Sequence, residues 1–191
     1  MNTAPFSIDP TLYQGRPADP KNRLSKELRT YDLLDRLGIS YLRADHFPTA
    51  TIEDCHDIDK LLEIEICKNL FLCNTQKTKF YLLMMPGSKK FKTAVLSRQI
   101  GSARLSFAPE EYMEKYLDIT PGSVSVLGLM NDHQNQVQLL IDKSVIDHHE
   151  YIGCHPCINT SSLKIRTRDL LDIFLPAIVH PYTLIDLPWD V

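Results

Sequence analysis

The chain has 191 residues, of which 43% are apolar and 24% charged, with a formal net charge of −3. These values describe an ordinary globular domain with a sizeable core. No apolar run approaches the ~20 residues that span a bilayer, and the first residues lack the basic-then-apolar pattern of a secretory signal. The expectation is a soluble cytoplasmic protein. The small negative charge weakens a DNA-binding reading and leaves room only for a local nucleic-acid contact.

Residues 1–22 are rich in Pro, Asp and Asn and read as an irregular arm, followed by one domain over residues 23–191. Leu24, Leu28, Tyr31, Leu34 and Leu37 recur at helical spacing, and Gly38 stops the helix. Residues 39–47 read as a strand. Thr51 to Asp54 resembles a helix start. Two apolar bursts, 68–73 and 79–85, flank the polar turn Asn74-Thr75-Gln76-Lys77 and predict a hairpin. Residues 92–100 suit a helix ended by Gly101, residues 104–107 a short strand, and residues 109–116 a helix with proline early and glutamates in its first turn. After the Pro121-Gly122 turn, residues 123–129 and 137–142 read as strands, as do 151–154 and 163–165. Residues 167–174 suit a helix capped by Thr167, and residues 182–187 close the sheet. Helices and strands mix without regular alternation, so the expected fold is α+β, with a mixed, largely antiparallel sheet flanked by helices.

Five cysteines at irregular spacing suit free thiols in a reducing compartment. Cys154-x-x-Cys157 is one metal-like pair, but structural zinc asks for four ligands and a second pair is missing. A redox pair would sit at a helix N-terminus, whereas a turn follows here. Cys154 and His155 are adjacent on an extended backbone and point to opposite faces, which disfavours a thiol–imidazole couple. Three features remain. Lys68 is a cation at a strand end, suited to a phosphate or a polarised carbonyl, or else a solvated gatekeeper. Gly122 opens a turn running through Ser123, Val124 and Ser125, where backbone N–H groups could approach a ligand, unless it is a plain β-turn. His155 precedes Pro156, which fixes an extended backbone and hence where the ring projects.

In this order the segments Lys68-Asn69-Leu70-Phe71-Leu72, Pro121-Gly122-Ser123-Val124-Ser125 with Gly128-Leu129-Met130-Asn131-Asp132, His155-Pro156-Cys157-Ile158-Asn159-Thr160 and Arg168-Asp169-Leu170-Leu171 resemble the YbaK/ProX family. Its members are freestanding relatives of the editing domain inserted in bacterial prolyl-tRNA synthetase. The match spans roughly residues 24–187 and leans toward the branch that deacylates alanyl-tRNA(Pro). The family's glycine loop commonly carries a proline where this chain has Val126.

The resemblance implies a hydrolase of mischarged tRNA(Pro) that engages the tRNA 3′ end, with prolyl-tRNA synthetase as a candidate partner, and without cofactor, metal, membrane or DNA. Lys68 is similar to the family's essential lysine. His155 would line the pocket and orient substrate or water. Asn69, the loop of Gly122, Ser123, Val124 and Ser125, and Asn159 with Thr160 would contact the aminoacyl end. An aminoacyl ester is already activated and has a neighbouring ribose hydroxyl, so no protein nucleophile is required. The competing readings are a deacylase for cysteinyl- or seryl-tRNA, and a non-catalytic tRNA- or synthetase-binding module.

Overall fold

Nine strands form two sheets, accompanied by seven α-helical segments, in a computed structural model that describes residues 9–48 and 56–189. The expected helix start at Thr51 lies outside the described residues. The first sheet has four strands in the order β1 (Tyr13–Gln14), β2 (Tyr41–Asp45), β8 (Ser161–Arg166) and β7 (Tyr151–Cys154), all antiparallel. The second has five, in the order β5 (Leu105–Phe107), β3 (Lys68–Asn74), β4 (Phe80–Met85), β6 (Val137–Asp142) and β9 (Tyr182–Ile185). Its β3–β4 hairpin and β3–β5 pair are antiparallel, while β4–β6 and β6–β9 are parallel. The α+β class and the mostly antiparallel pairing agree with the sequence, but the strands divide between two sheets. The N-terminal arm also contributes an edge strand, with Tyr13 opposite Arg43.

The main core lies between the sheets. Tyr41, Ile152, Leu163 and Ile165 enter it from the first, and Phe71, Phe80, Leu82 and Leu139 from the second. Helix α1 (Ser25–Arg36) presents Tyr31 and Leu34 to this core, and α4 (Glu110–Leu117) contributes Leu117. Burying such side chains is worth about 1.5–3 kcal/mol each by area transfer. Helix α2 (His56–Leu62) covers the outer face of the first sheet through Ile58 and Leu62. Helix α3 (Thr93–Gln99) covers the outer face of the second through Leu96. Alternation along β3 makes this possible, because Phe71 and Cys73 face one core and Leu72 the other.

Two local expectations are corrected. Residues 123–129 do not form a strand: Val126–Asn131 is a 3₁₀ helix, capped by the Ser125 hydroxyl accepting from the Leu127 N–H at 3.2 Å. Gly128 lets this turn lie against Ile119, since a Cβ there would sit 2.3 Å from Ile119 Cδ1. Thr167 does not cap its helix. Arg166 occupies the cap position, and the Thr167 hydroxyl donates to the His149 carbonyl at 2.5 Å. That helix, α6 (Thr167–Asp169), passes through a π-helical stretch (Leu170–Phe174) into α7 (Leu175–Ala177). After β6 the chain forms helix α5 (Lys143–His148), whose N-cap Asp142 accepts from the Ser144 N–H at 2.9 Å.

Candidate active site

Among the described residues one isolated β-bridge links the two sheets. Ile66 and Gly153 form a parallel bridge, and the Cys67 N–H donates to the Gly153 carbonyl at 3.2 Å. Only glycine fits there, because a Cβ would lie 2.7 Å from Ile66 Cγ1 and 2.6 Å from Ile64 Cδ1. Two residues beyond the bridge on each parallel chain stand Lys68, opening β3, and His155, just past β7. Across this seam, a cation on one sheet and an imidazole on the other thus stand at equal distance in sequence from the bridge.

Lys68 is half-buried and donates its ammonium to the Lys89 carbonyl at 2.9 Å. That carbonyl belongs to the turn after β4, where the Lys89 N–H donates to the Pro86 carbonyl. Inside the same turn the fully buried Lys89 ammonium donates to both Asp142 oxygens, at 2.8 and 3.1 Å, and to the Ser144 hydroxyl at 3.1 Å. All three of its donors are thus used. Beside Lys68, the Asn69 amide N–H donates to the Cys67 carbonyl at 3.2 Å, which leaves its buried Oδ1 without a partner among the described residues.

The His155 tautomer follows from its neighbours. Nδ1 lies 3.0 Å from the Ser161 carbonyl, which can only accept, so Nδ1 carries the proton and Nε2 the lone pair. The Ser162 hydroxyl oxygen also lies 3.3 Å from Nδ1. His46 repeats the logic: its Nδ1 donates to the Phe47 carbonyl at 2.8 Å, so its Nε2 accepts from the Ser162 hydroxyl at 2.9 Å. One relay then runs from His155 through Ser162 to His46, with the imidazole rings 6.1 Å apart. Burial pushes the His155 imidazolium down to about 4 and lowers His46 as well, so both rings are neutral near pH 7. Ser161 is itself held, its hydroxyl donating to Asp45 at 3.0 Å.

Of the other expected residues, Thr160 borders this relay, its carbonyl accepting the His46 N–H at 3.0 Å, and Asn159 precedes it half-buried. Gly122 turns the chain at φ +85°, a conformation natural to glycine. The hydroxyls of Ser123 and Ser125 serve the loop itself, the first donating to the Thr120 carbonyl at 2.8 Å and the second capping the 3₁₀ turn. Val124 packs against the main core, and Val126, in the place of the family's loop proline, is buried in it. Among the described residues no hydrogen bond links this loop to Lys68 or His155. Thr30 of α1 joins the two regions, its hydroxyl 3.5 Å from Cys157 Sγ and 4.0 Å from Met130 Sδ.

Cys67, Cys73, Cys154 and Cys157 are free and buried, and Cys55 lies outside the described residues. Burial pushes the Cys67 thiol up to about 12 and Cys157 to about 11, and raises Cys154 as well. Such thiols are poor nucleophiles. Among the described residues no group of three or more His, Cys, Asp or Glu is placed to hold a metal ion, and no helix is long and apolar enough to cross a membrane.

A family model for the aminoacyl-tRNA editing domain matches residues 46–173. The chain belongs to the aminoacyl-tRNA editing domain family. It is an aminoacyl-tRNA deacylase of the YbaK/ProX type. The matched span begins at His46 and takes in Lys68, the Gly122 loop and His155. The prolyl-tRNA editing protein ProX of Acetoanaerobium sticklandii is 35% identical over 137 residues, covering 72% of this chain and 83% of that protein. A prolyl-tRNA synthetase associated domain-containing protein 1 of Danio rerio is 30% identical over 149 residues, covering 78% and 79%. A solved structure described as a proposed trans-editing enzyme for prolyl-tRNA synthetase shares the fold, with a TM-score of 0.63 at 15% identity over 86% of this chain and 97% of that one.

Sequence reasoning did not find His46, Ser162 or Lys89 in this editing domain. His46 and Ser162 are 116 residues apart, and only the β2–β8 pairing brings them together.

Proposed function

We propose that the protein is a trans-editing hydrolase that clears mischarged tRNA(Pro), with alanyl-tRNA(Pro) as its main substrate. The reading is supported by the seam, where the Lys68 ammonium and the His155 Nε2 lone pair come from opposite sheets beside thiols too buried to attack. The named relatives point to prolyl-tRNA.

In this mechanism Lys68 holds the ester or backbone oxygens of the tRNA 3′ end. The buried Asn69 Oδ1 accepts a hydrogen bond from the substrate's α-ammonium or ribose. His155 Nε2 accepts from water and orients it. The water oxygen bonds to the ester carbonyl carbon, the neighbouring ribose hydroxyl relays a proton, and the bond to the ribose oxygen breaks. The products are a free amino acid and a tRNA with both terminal hydroxyls restored. A ring as weakly basic as His155 serves better to orient water than to store its proton. Asn159, Thr160 and the loop from Gly122 to Ser125 form the wall against which the amino-acid side chain is measured. A synthetase site shaped for proline rejects alanine by only about 1–3 kcal/mol per missing methylene. A smaller second pocket removes what passes, and prolyl-tRNA synthetase is the partner that supplies it.

The test is deacylation of tRNA(Pro) charged separately with alanine, cysteine, serine and proline. Selective loss of alanine, abolished in Lys68→Ala, is expected. Selective loss of cysteine or serine would move the specificity. No loss from any of them would leave a binding module.

A further inference from the structure

Basic and acidic residues are segregated along this chain. From residue 66 to residue 109 there are eight Lys or Arg (Lys68, Lys77, Lys79, Lys89, Lys90, Lys92, Arg98 and Arg104) and no Asp or Glu. The remaining 13 basic residues are set against all 24 acidic ones, a formal −11. The small net charge is thus the difference between a strongly positive segment and a strongly negative remainder.

The fold makes that segment one region. It comprises β3, β4, α3 and β5, on one side of the five-stranded sheet. Lys68 and Lys89 are used in and beneath the candidate site; the other six are exposed. Lys90 and Lys92 follow the carbonyl that anchors the Lys68 ammonium. Arg98 lies on α3. Lys77 and Lys79 stand at the hairpin tip, and the Thr75 hydroxyl donating to the Arg104 carbonyl at 3.4 Å joins Arg104 to that tip. The positive region therefore runs from the candidate site along α3 to the far end of β3. Seven residues at about 3.3 Å each make this roughly 20 Å. None of the six forms an ion pair with a carboxylate among the described residues. The nearby Asp186, whose carbonyl accepts from Gln99, faces Lys143 instead. The Glu65 carboxylate accepts from the Ser88 N–H beside Lys90 and is the near acidic neighbour at the site end, while acidic charges farther off than about 10 Å are screened at physiological salt.

From this we infer that Lys77, Lys79, Lys90, Lys92, Arg98 and Arg104 form the track for the phosphate backbone of the tRNA acceptor stem whose 3′ end enters at Lys68. The inference rests on the proposed function and adds the path of the tRNA body. A protein partner fits this region less well, because interface centres are apolar. Among the described residues two large exposed apolar side chains lie in it, Phe107 and Trp189, whose ring sits 4.8 Å from the Lys89 ammonium; Val179, Tyr182 and Leu184 are elsewhere. Unpaired cations beside two separate aromatic faces match single-stranded and stem RNA better than an apolar interface centre.

Two triple variants test it: Lys77→Gln/Lys79→Gln/Arg104→Gln at the tip and Lys90→Gln/Lys92→Gln/Arg98→Gln near the site. Binding of uncharged tRNA(Pro) is titrated against KCl, and hydrolysis of 3′-O-alanyl-adenosine, which has no stem, is measured alongside. Each variant is expected to lose at least tenfold in affinity at 0.1 M KCl and to flatten the log K against log [KCl] slope by about 2. Alanyl-adenosine hydrolysis should stay within about twofold of wild type. Unchanged slopes in both variants would overturn the track, as would unchanged slopes with loss of co-elution with prolyl-tRNA synthetase, which would mark a protein surface. If wild type deacylates no charged tRNA(Pro) but the slopes flatten, the track stands and the deacylation reading falls.

Discussion

Replacing Lys89 with methionine should be among the most damaging single changes available outside the candidate site itself. Its ammonium and the Asp142 carboxylate are both fully inaccessible, and the pair shares two hydrogen bonds, at 2.8 and 3.1 Å. Methionine fills similar volume but leaves Asp142 with only the Ser144 N–H. Stranding one member of a buried ion pair costs about 3–5 kcal/mol. Domains of this kind are stable by about 5–15 kcal/mol in total, so about a fifth or more of the stability would be lost. The double variant Lys89→Met/Asp142→Asn removes the stranded charge and keeps an acceptor for the α5 cap. It should return to within about 2 kcal/mol of wild type. Urea unfolding at constant m-value measures both. A single variant less than about 1 kcal/mol below wild type, or a double variant as unstable as the single one, would refute this account. Because the Lys89 carbonyl anchors Lys68, residual deacylation by the single variant should also fall below what its folded fraction explains.

Three further outcomes follow from the seam and the relay. Gly153→Ala forces a Cβ against Ile64 and Ile66 and should cost about 1–3 kcal/mol in thermal or urea unfolding, more than alanine costs at an open glycine such as Gly15 apart from backbone strain. Ser162→Ala cuts the link between His155 and His46; kcat should drop roughly tenfold with KM little changed, less than the ~100-fold of a full ångström misplacement, and Ser162→Thr should restore most of it. The third outcome concerns pH. Burial holds the His155 pKa at about 4, below the ~6.5 of the unfolded chain, so the unfolded state binds the extra proton between those values. Stability is therefore fully present above about pH 6.5 and is lost as pH falls toward 4, by ~3 kcal/mol. The same titration of His155→Gln should be flatter in that window, and an unchanged slope would disprove the assignment.

Much of the fold could be read from residue patterns because local chemistry and tertiary structure agree there. The β3–β4 hairpin has an apolar burst on each side of a polar turn, and Gly38 and Gly101 both stop helices at positive φ. The reading failed where one apolar run suits two structures. Residues 123–129 have strand length and composition, and what makes them a 3₁₀ turn is the Ser125 cap and the fit of Gly128 to Ile119, a contact set by tertiary packing. The division into two sheets was hidden for a similar reason, since strand pairing is long-range and β2 pairs with β8 across more than a hundred residues. In the candidate site, Lys68, Gly122 and His155 stood out through the resemblance. His46, Ser162 and Lys89 did not, because each acts through a partner that only the folded chain supplies. The acid-free stretch from 66 to 109 was visible throughout but is averaged away in a net charge of −3.

The junction at Gly153 has a consequence for how the protein could be watched at work. Cys67 and Cys154 flank it, 4% and 1% exposed, with thiols that burial keeps protonated. A thiol-specific reagent reaches neither while the sheets stay joined, so the rate of labelling is a clock for their separation. A ligand gripping Lys68 on one side and His155 on the other would slow that clock, and a ligand touching one side alone would leave it running.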